Sequence, residues 1–69
     1  MIKKFHCNNH LKGRIQAQME HYIQDRAIQF EKGSKRNTCI VIIDESKVDE
    51  YELSYMYQTL IPTNREIQG

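Results

Sequence analysis

Hydrophobic and polar positions change their spacing several times along the chain, and each change marks an expected element. Met1, Phe5 and Cys7 share one parity within the first seven residues, the loose alternation of a short strand. Asn8-Asn9 follows, a pair suited to a turn and to capping a helix. From His10 the spacing lengthens. With Leu11 as origin at about 100° per residue, Leu11, Ile15, Met19, Tyr22 and Ile23 fall within an arc of about 120°, and Arg14, Gln18, His21 and Asp25 lie opposite. This predicts a helix from about His10 to Asp25, ended there because Arg26 would intrude on the apolar arc. Gly13 weakens its first turn by up to about 1 kcal/mol relative to Ala. Phe30 continues the helical spacing, so a helix running on to Phe30 is the competing reading.

Arg26 to Lys32 instead alternates, with Ile28 and Phe30 on one side and Ala27, Gln29 and Glu31 on the other. Gly33-Ser34-Lys35-Arg36-Asn37 is turn chemistry, and Thr38 to Ile43 is a β-branched run, so a hairpin is expected. The unbroken apolar strand should be central, with cover needed on both faces. Ser46-Lys47-Val48-Asp49 fits a capping box in its weaker Asp form and opens a second helix, about Lys47 to Leu60, which Pro62 stops. Residues 1–62 then form one α+β domain in the order β-α-β-β-α, with about three strands, a central hairpin and two amphipathic helices. Residues 63–69 form a short polar tail expected to fray or dock weakly.

Composition narrows the classes. A domain of 69 residues buries roughly 60 % of its unfolded surface, leaving a marginal core that a second copy or partner would support. Nine Ile, two Val, one Pro and three Gly argue for a folded chain rather than a disordered one. The longest apolar run, Cys39 to Ile43, is far short of the roughly 20 residues of a membrane span. Met1 to His6 has a basic start with no apolar stretch behind it, so no secretory leader and no membrane partner are expected. The expected setting is the cytoplasm, where Cys7 and Cys39 would be free thiols.

The net charge of +1 conceals an asymmetry. Residues 1–37 carry eight Lys and Arg against three acids, a net of +5; residues 38–69 carry two against six, a net of −4. Such a dipole suits binding to a charged partner.

Candidate chemistry is sparse. Cys7 and His10 form a C-x2-H half-site that Cys39 or His21 would have to complete. His6 and Cys7 point to opposite faces of a strand, and His10 lies roughly 16 Å along the helix from His21. Cys7, His10 and Cys39 alone leave a fourth ligand missing, so no metal and no cofactor are expected. Ile40 to Glu45 has the apolar-strand-plus-Asp-Glu form of a Walker B segment, but no G-x-x-x-x-G-K-[ST] loop exists. A buried strand entering an acidic turn is the plainer reading. Cys39 sits in a buried strand, where thiols are inert, and no Ser lies in a G-x-S-x-G setting. No catalytic residue is assigned.

Two binding surfaces remain. In the second helix Leu53, Met56, Tyr57 and Leu60 form a core stripe, while Val48, Tyr51 and Tyr55 form a second group beside Glu52. Tyrosine offers a large apolar body with a polar tip, so Val48, Tyr51, Glu52 and Tyr55 are expected to bind a protein partner or a second copy, in a self-associating, homodimeric interaction module of regulator or inhibitor type. The alternative is nucleic-acid binding through Lys3, Lys4, Lys32, Lys35 and Arg36, a salt-sensitive phosphate contact.

Overall fold

The computed structural model describes residues 1–67 and has the order β-α-α-β-β-α, one helix more than the spacing predicts. Strands β1 (Ile2–Asn8), β2 (Ile28–Lys32) and β3 (Thr38–Asp44) form an antiparallel sheet in the order β1-β3-β2. Cys7 faces Cys39 and Phe5 faces Val41 across the first ladder; Ile28 faces Ile43 across the second. The helices are α1 (Asn9–Gln18), α2 (Glu20–Gln24) and α3 (Glu50–Tyr55), which continues into a wider π turn, Met56–Leu60. No helix among the described residues is long and apolar enough to cross a membrane.

The first helix is not continuous. Met19, at φ −121° and ψ 34°, breaks it into α1 and α2 while keeping its own side chain buried. The kink turns Tyr22 inward, where its hydroxyl accepts from the Asp49 N–H at 3.2 Å. Asn8 caps α1, its Oδ1 accepting from the Leu11 N–H at 2.7 Å. The helix ends as the apolar arc predicts, and the competing reading through Phe30 fails because Ile28 to Lys32 pair with β3. Arg26 takes a left-handed conformation, φ 62°. Its N–H donates to the Ile23 carbonyl and that of Ala27 to the Tyr22 carbonyl, the paired bonds of a Schellman closure.

The third helix starts later than the Ser46 pattern predicts. Asp44 Oδ1 accepts from the Ser46 N–H and hydroxyl, at 3.1 and 2.6 Å, and holds Glu45–Lys47 as a single 3-10 turn. Val48 then stays extended, so that its side chain drops into the core. Asp49 becomes the cap, its Oδ2 accepting from the Tyr51 and Glu52 N–H groups at 3.0 and 3.3 Å. At the far end the Ile61 N–H reaches back five residues to the Met56 carbonyl, 2.7 Å. That wider turn keeps Met56, Leu60 and Ile61 on one side, and all three are buried.

One core results. Phe5, Cys7, Ile28, Cys39, Val41 and Ile43 from the sheet meet Ile15, Met19, Tyr22, Val48, Met56, Leu60 and Ile61. β3 is central as its apolar run predicts, and the helices cover one of its two faces. All three helices lie on the face of Cys39, Val41 and Ile43, whereas Ile40 and Ile42 point the other way and are only half-buried.

Beyond Pro62 a 3-10 turn, Thr63–Arg65, leads back to the outer edge of β1. Phe5 pairs with Glu66 there, and the Ile67 N–H donates to the Lys4 carbonyl at 2.8 Å. Gln68 and Gly69, the end of the expected tail, lie outside the described residues.

Candidate interaction surfaces

Of the four residues predicted to bind a partner, three share one exposed surface. Tyr51 and Tyr55 stand one turn apart on α3, 85 % and 48 % exposed. The Tyr55 hydroxyl donates to Gln18 Oε1 at 3.2 Å, which orients its ring along the seam with α1. Glu52 lies beside them, 3.6 Å from His21 Nε2 across the seam with α2. Asp49 and Glu50, both exposed, complete an acidic margin. Val48 is the exception: buried to 8 % exposure, it belongs to the core, because the late helix start turns it inward.

The opposite flank of the same helix is committed to internal contacts. Tyr57 packs its ring 5.5 Å from Phe5 and donates its hydroxyl to Glu45 Oε2 at 2.7 Å. Burial, and then the bond to the Glu45 carboxylate, push the Tyr57 hydroxyl well above the ordinary tyrosine range. Lys3 pairs with the same carboxylate at 3.7 Å and stands over the Tyr57 ring. The acidic end of the Walker-like run is thereby occupied in structure: Glu45 holds Tyr57 and Lys3, and Asp44 holds Ser46. The Ser46 hydroxyl draws the Asp44 carboxyl below its usual value.

The five predicted basic residues do not converge. Lys3 is tied to Glu45 at one end of the sheet, and Lys4 points from the open face. Lys32, Lys35 and Arg36 do come together, lining a groove of about 420 Å³ beside the hairpin. Lys12 joins them, its Nζ 5.3 Å from the centre of the Phe30 ring. The sequence pattern missed Lys12, because its place beside the hairpin follows only from the packing of α1 against the sheet. The hairpin itself is held by the Gly33 N–H donating to the Thr38 carbonyl at 3.1 Å, with Asn37 left-handed at φ 63°.

Cys7 and Cys39 are joined as a cross-strand disulfide, contrary to the expectation of free thiols. Their direct register in the β1–β3 ladder places the two Cα atoms 5.3 Å apart, well within bonding range. The bond withdraws both sulfurs from the Cys7-His10-Cys39 metal arrangement and from nucleophilic roles. Among the described residues no group of three His, Cys, Asp or Glu side chains is placed to hold a metal ion.

The open sheet face is a further surface, to which the sequence pattern assigns no role. Its rows run Lys4–Ile42–Gln29 and His6–Ile40–Glu31 across the three strands, with Ile2 opposite Asp44 beyond them. Set against known proteins, the chain matches no family model, and neither a curated protein nor a solved structure is significantly similar to it.

Proposed function

We propose that this chain is a small non-catalytic protein-interaction module, of regulator or inhibitor type, whose contact surface is the outer side of α3. The observation that carries this reading is the exposure of Tyr51 and Tyr55 on a short helix that rests on the core through Leu53 and the Met56–Leu60 turn that follows it. Burying such a ring on a partner removes a large apolar area from water at the cost of few side-chain rotamers. Asp49, Glu50 and Glu52 around the rings select a partner that offers Lys or Arg to an apolar patch. The reading keeps the cytoplasmic setting, where the Cys7–Cys39 bond meets reducing conditions; burial of both residues, 3 % and 4 % exposed, slows exchange at the bond without changing its equilibrium.

A photo-crosslinking side chain at position 51, in cells, tests this. A discrete protein adduct that disappears with Glu50→Lys plus Glu52→Lys supports the reading. An adduct pattern matching that of the same group at exposed Gln16 removes it.

A second reading, nucleic-acid binding, draws on the groove of Lys12, Lys32, Lys35 and Arg36. Four cations against Glu31 around one half-buried ring suit a phosphodiester strand with a base laid on Phe30. Retention of single-stranded oligonucleotide at low salt, lost with Lys35→Glu plus Arg36→Glu, is its expected signature; no retention by the native chain eliminates it.

A further inference from the structure

The groove of Lys12, Lys32, Lys35 and Arg36 does not stand alone. A second groove, of about 360 Å³, opens over the hairpin end of the sheet, lined by His6, Ser34, Lys35, Thr38 and Arg65. It shares Lys35 and Thr38 with the first. A third, of about 430 Å³, lies between α1 and the chain after Pro62, where His10, Arg14, Asn64 and Arg65 stand over Leu11 and Leu60. It shares Arg65 and Asn8 with the second. The three grooves therefore run into one another around the first turn of α1. We propose that they form one continuous track for single-stranded nucleic acid, in which Arg14 and Arg65 bind phosphates beyond the groove beside the hairpin. The inference rests on the nucleic-acid reading and extends its site.

Charge is segregated around this track. Of the chain's ten Lys and Arg, six line it, whereas of its nine Asp and Glu it is lined by Glu31 alone. Among the described residues none of the six is in an ion pair. Lys12 is half-buried and the other five are exposed. Helix α1 begins inside the ring of cations, and the N-terminal end of its dipole has the same sign. The acids gather elsewhere, Asp44 and Glu45 at the opposite end of β3, and Asp49, Glu50 and Glu52 on the start of α3. A chain of net charge +1 thus presents a strongly positive pole.

The shape of the track selects among polyanions. Its occupant must carry many negative charges in a row and bend around the start of a helix. Three carboxylates at the start of α3 in a second copy would serve one groove and leave the others empty. A flat anionic lipid surface meets one side of the pole. Duplex DNA, stiff over about 150 base pairs, does not follow a turn this tight. A single strand bends between successive phosphates and can lay a base against the half-buried Phe30 in the first groove. The acidic margin of α3 repels it, so the strand keeps clear of Tyr51 and Tyr55.

Fluorescence anisotropy with a labelled oligothymidine of about 12 nucleotides, titrated with the full chain at several salt concentrations, is the test. Six phosphate contacts at about −0.7 each should give a slope of log K against log salt near −4. Arg14→Gln plus Arg65→Gln, exposed and folded by circular dichroism, should reduce the slope to about −3 and the affinity roughly tenfold at about 0.1 M salt. Arg26→Gln plus Lys47→Gln removes the same charge from exposed positions outside the track and should leave the slope unchanged. No binding by the native chain at low salt overturns the nucleic-acid reading and this inference together. Native binding that the Arg14 and Arg65 changes leave intact overturns the track alone and returns the site to the first groove. An equal loss with Arg26 and Lys47 overturns it by assigning the effect to net charge. Tighter binding of the duplex with oligoadenine, or of phosphatidylserine vesicles, overturns the choice of a single strand.

Discussion

On the covered face of the sheet, Phe5, Cys7, Ile28, Cys39, Val41 and Ile43 are each at most 4 % exposed. On the other face, Lys4, His6, Gln29 and Glu31 flank Ile40 and Ile42, which are only half-buried. The same three backbones, with the same hydrogen-bonded ladders, therefore support two different energetic roles. One face holds nearly all the apolar burial that offsets chain entropy, while the other leaves apolar surface unspent. Side-chain parity alone separates them, so single substitutions on neighbouring residues of β3 or β1 should differ sharply in effect.

The largest contrast lies between Phe5 and Ile42. Phe5→Ala removes a fully buried ring that meets Tyr57, and should cost about 3–5 kcal/mol, enough to unfold much of a domain this small. Ile42→Ala on the open face should cost under about 1 kcal/mol in dilute, monomeric protein. Urea denaturation of both variants checks this; equal losses would mean that the open face is already buried in the folded monomer. Slightly smaller is the effect of the disulfide on the covered face. Cys7 and Cys39 are 32 residues apart, and opening that loop should lower stability by about 3–4 kcal/mol on the chain-entropy account. Denaturation with and without reductant measures the loss, and alkylation followed by mass spectrometry counts the thiols released.

High pH should act on the cover itself. The folded state holds the Tyr57 hydroxyl protonated against burial and Glu45, so its pKa lies above the unfolded value of about 10. That stabilisation is fully present below pH 10 and is lost as pH rises beyond it, because only the unfolded chain then ionises readily. Solvent reaching the half-buried ring reduces the full 1.4 kcal/mol per pH unit, leaving up to about 1 kcal/mol. Tyr57→Phe should flatten the decline between pH 10 and 11 in thermal melts, and an unchanged slope would assign it elsewhere. Tyr22, raised by its own burial, contributes in the same direction. Of similar size is the cap of α3: Asp49→Ala leaves two N–H groups without their acceptor and should cost about 1 kcal/mol.

Period and parity made the sheet legible before any coordinates. Alternation located β1 and β2, the β-branched run placed β3 at the centre, and Leu53, Met56, Tyr57 and Leu60 marked the buried side of the last helix. What escaped depends on partners distant in sequence. The Cys7–Cys39 bond follows from register across the sheet, which spacing along the chain does not encode. The capping box at Ser46 puts the helix start too early; burial of Val48 moves it to Asp49, a tertiary demand overriding a local one. Coverage of β3 could not be read either, since an apolar strand shows that cover is needed but not whether the same chain provides it. The candidate site divided in the same way. Tyr51 and Tyr55 were visible from helical spacing, while Lys12 joined the basic groove only once α1 was packed beside the hairpin.

The smallest effect concerns the turn that brings the chain from its helical cover into the sheet. Arg26 ends α2 in a left-handed conformation, φ 62°, a region costing a side-chain-bearing residue about 1–2 kcal/mol. Its backbone N–H already serves the closure, and its exposed side chain is not needed by the Ile23 or Tyr22 carbonyls. Arg26→Gly removes the backbone penalty but gives the unfolded chain more freedom, which returns roughly 0.5–1 kcal/mol of the gain. The net expectation is stabilisation of about 0.5 kcal/mol, a rise of a few degrees in melting temperature for this length. Arg26→Ala should show none of it, since alanine keeps the Cβ. A destabilised glycine variant would mean that the arginine side chain, rather than the left-handed backbone, decides how the cover meets the sheet.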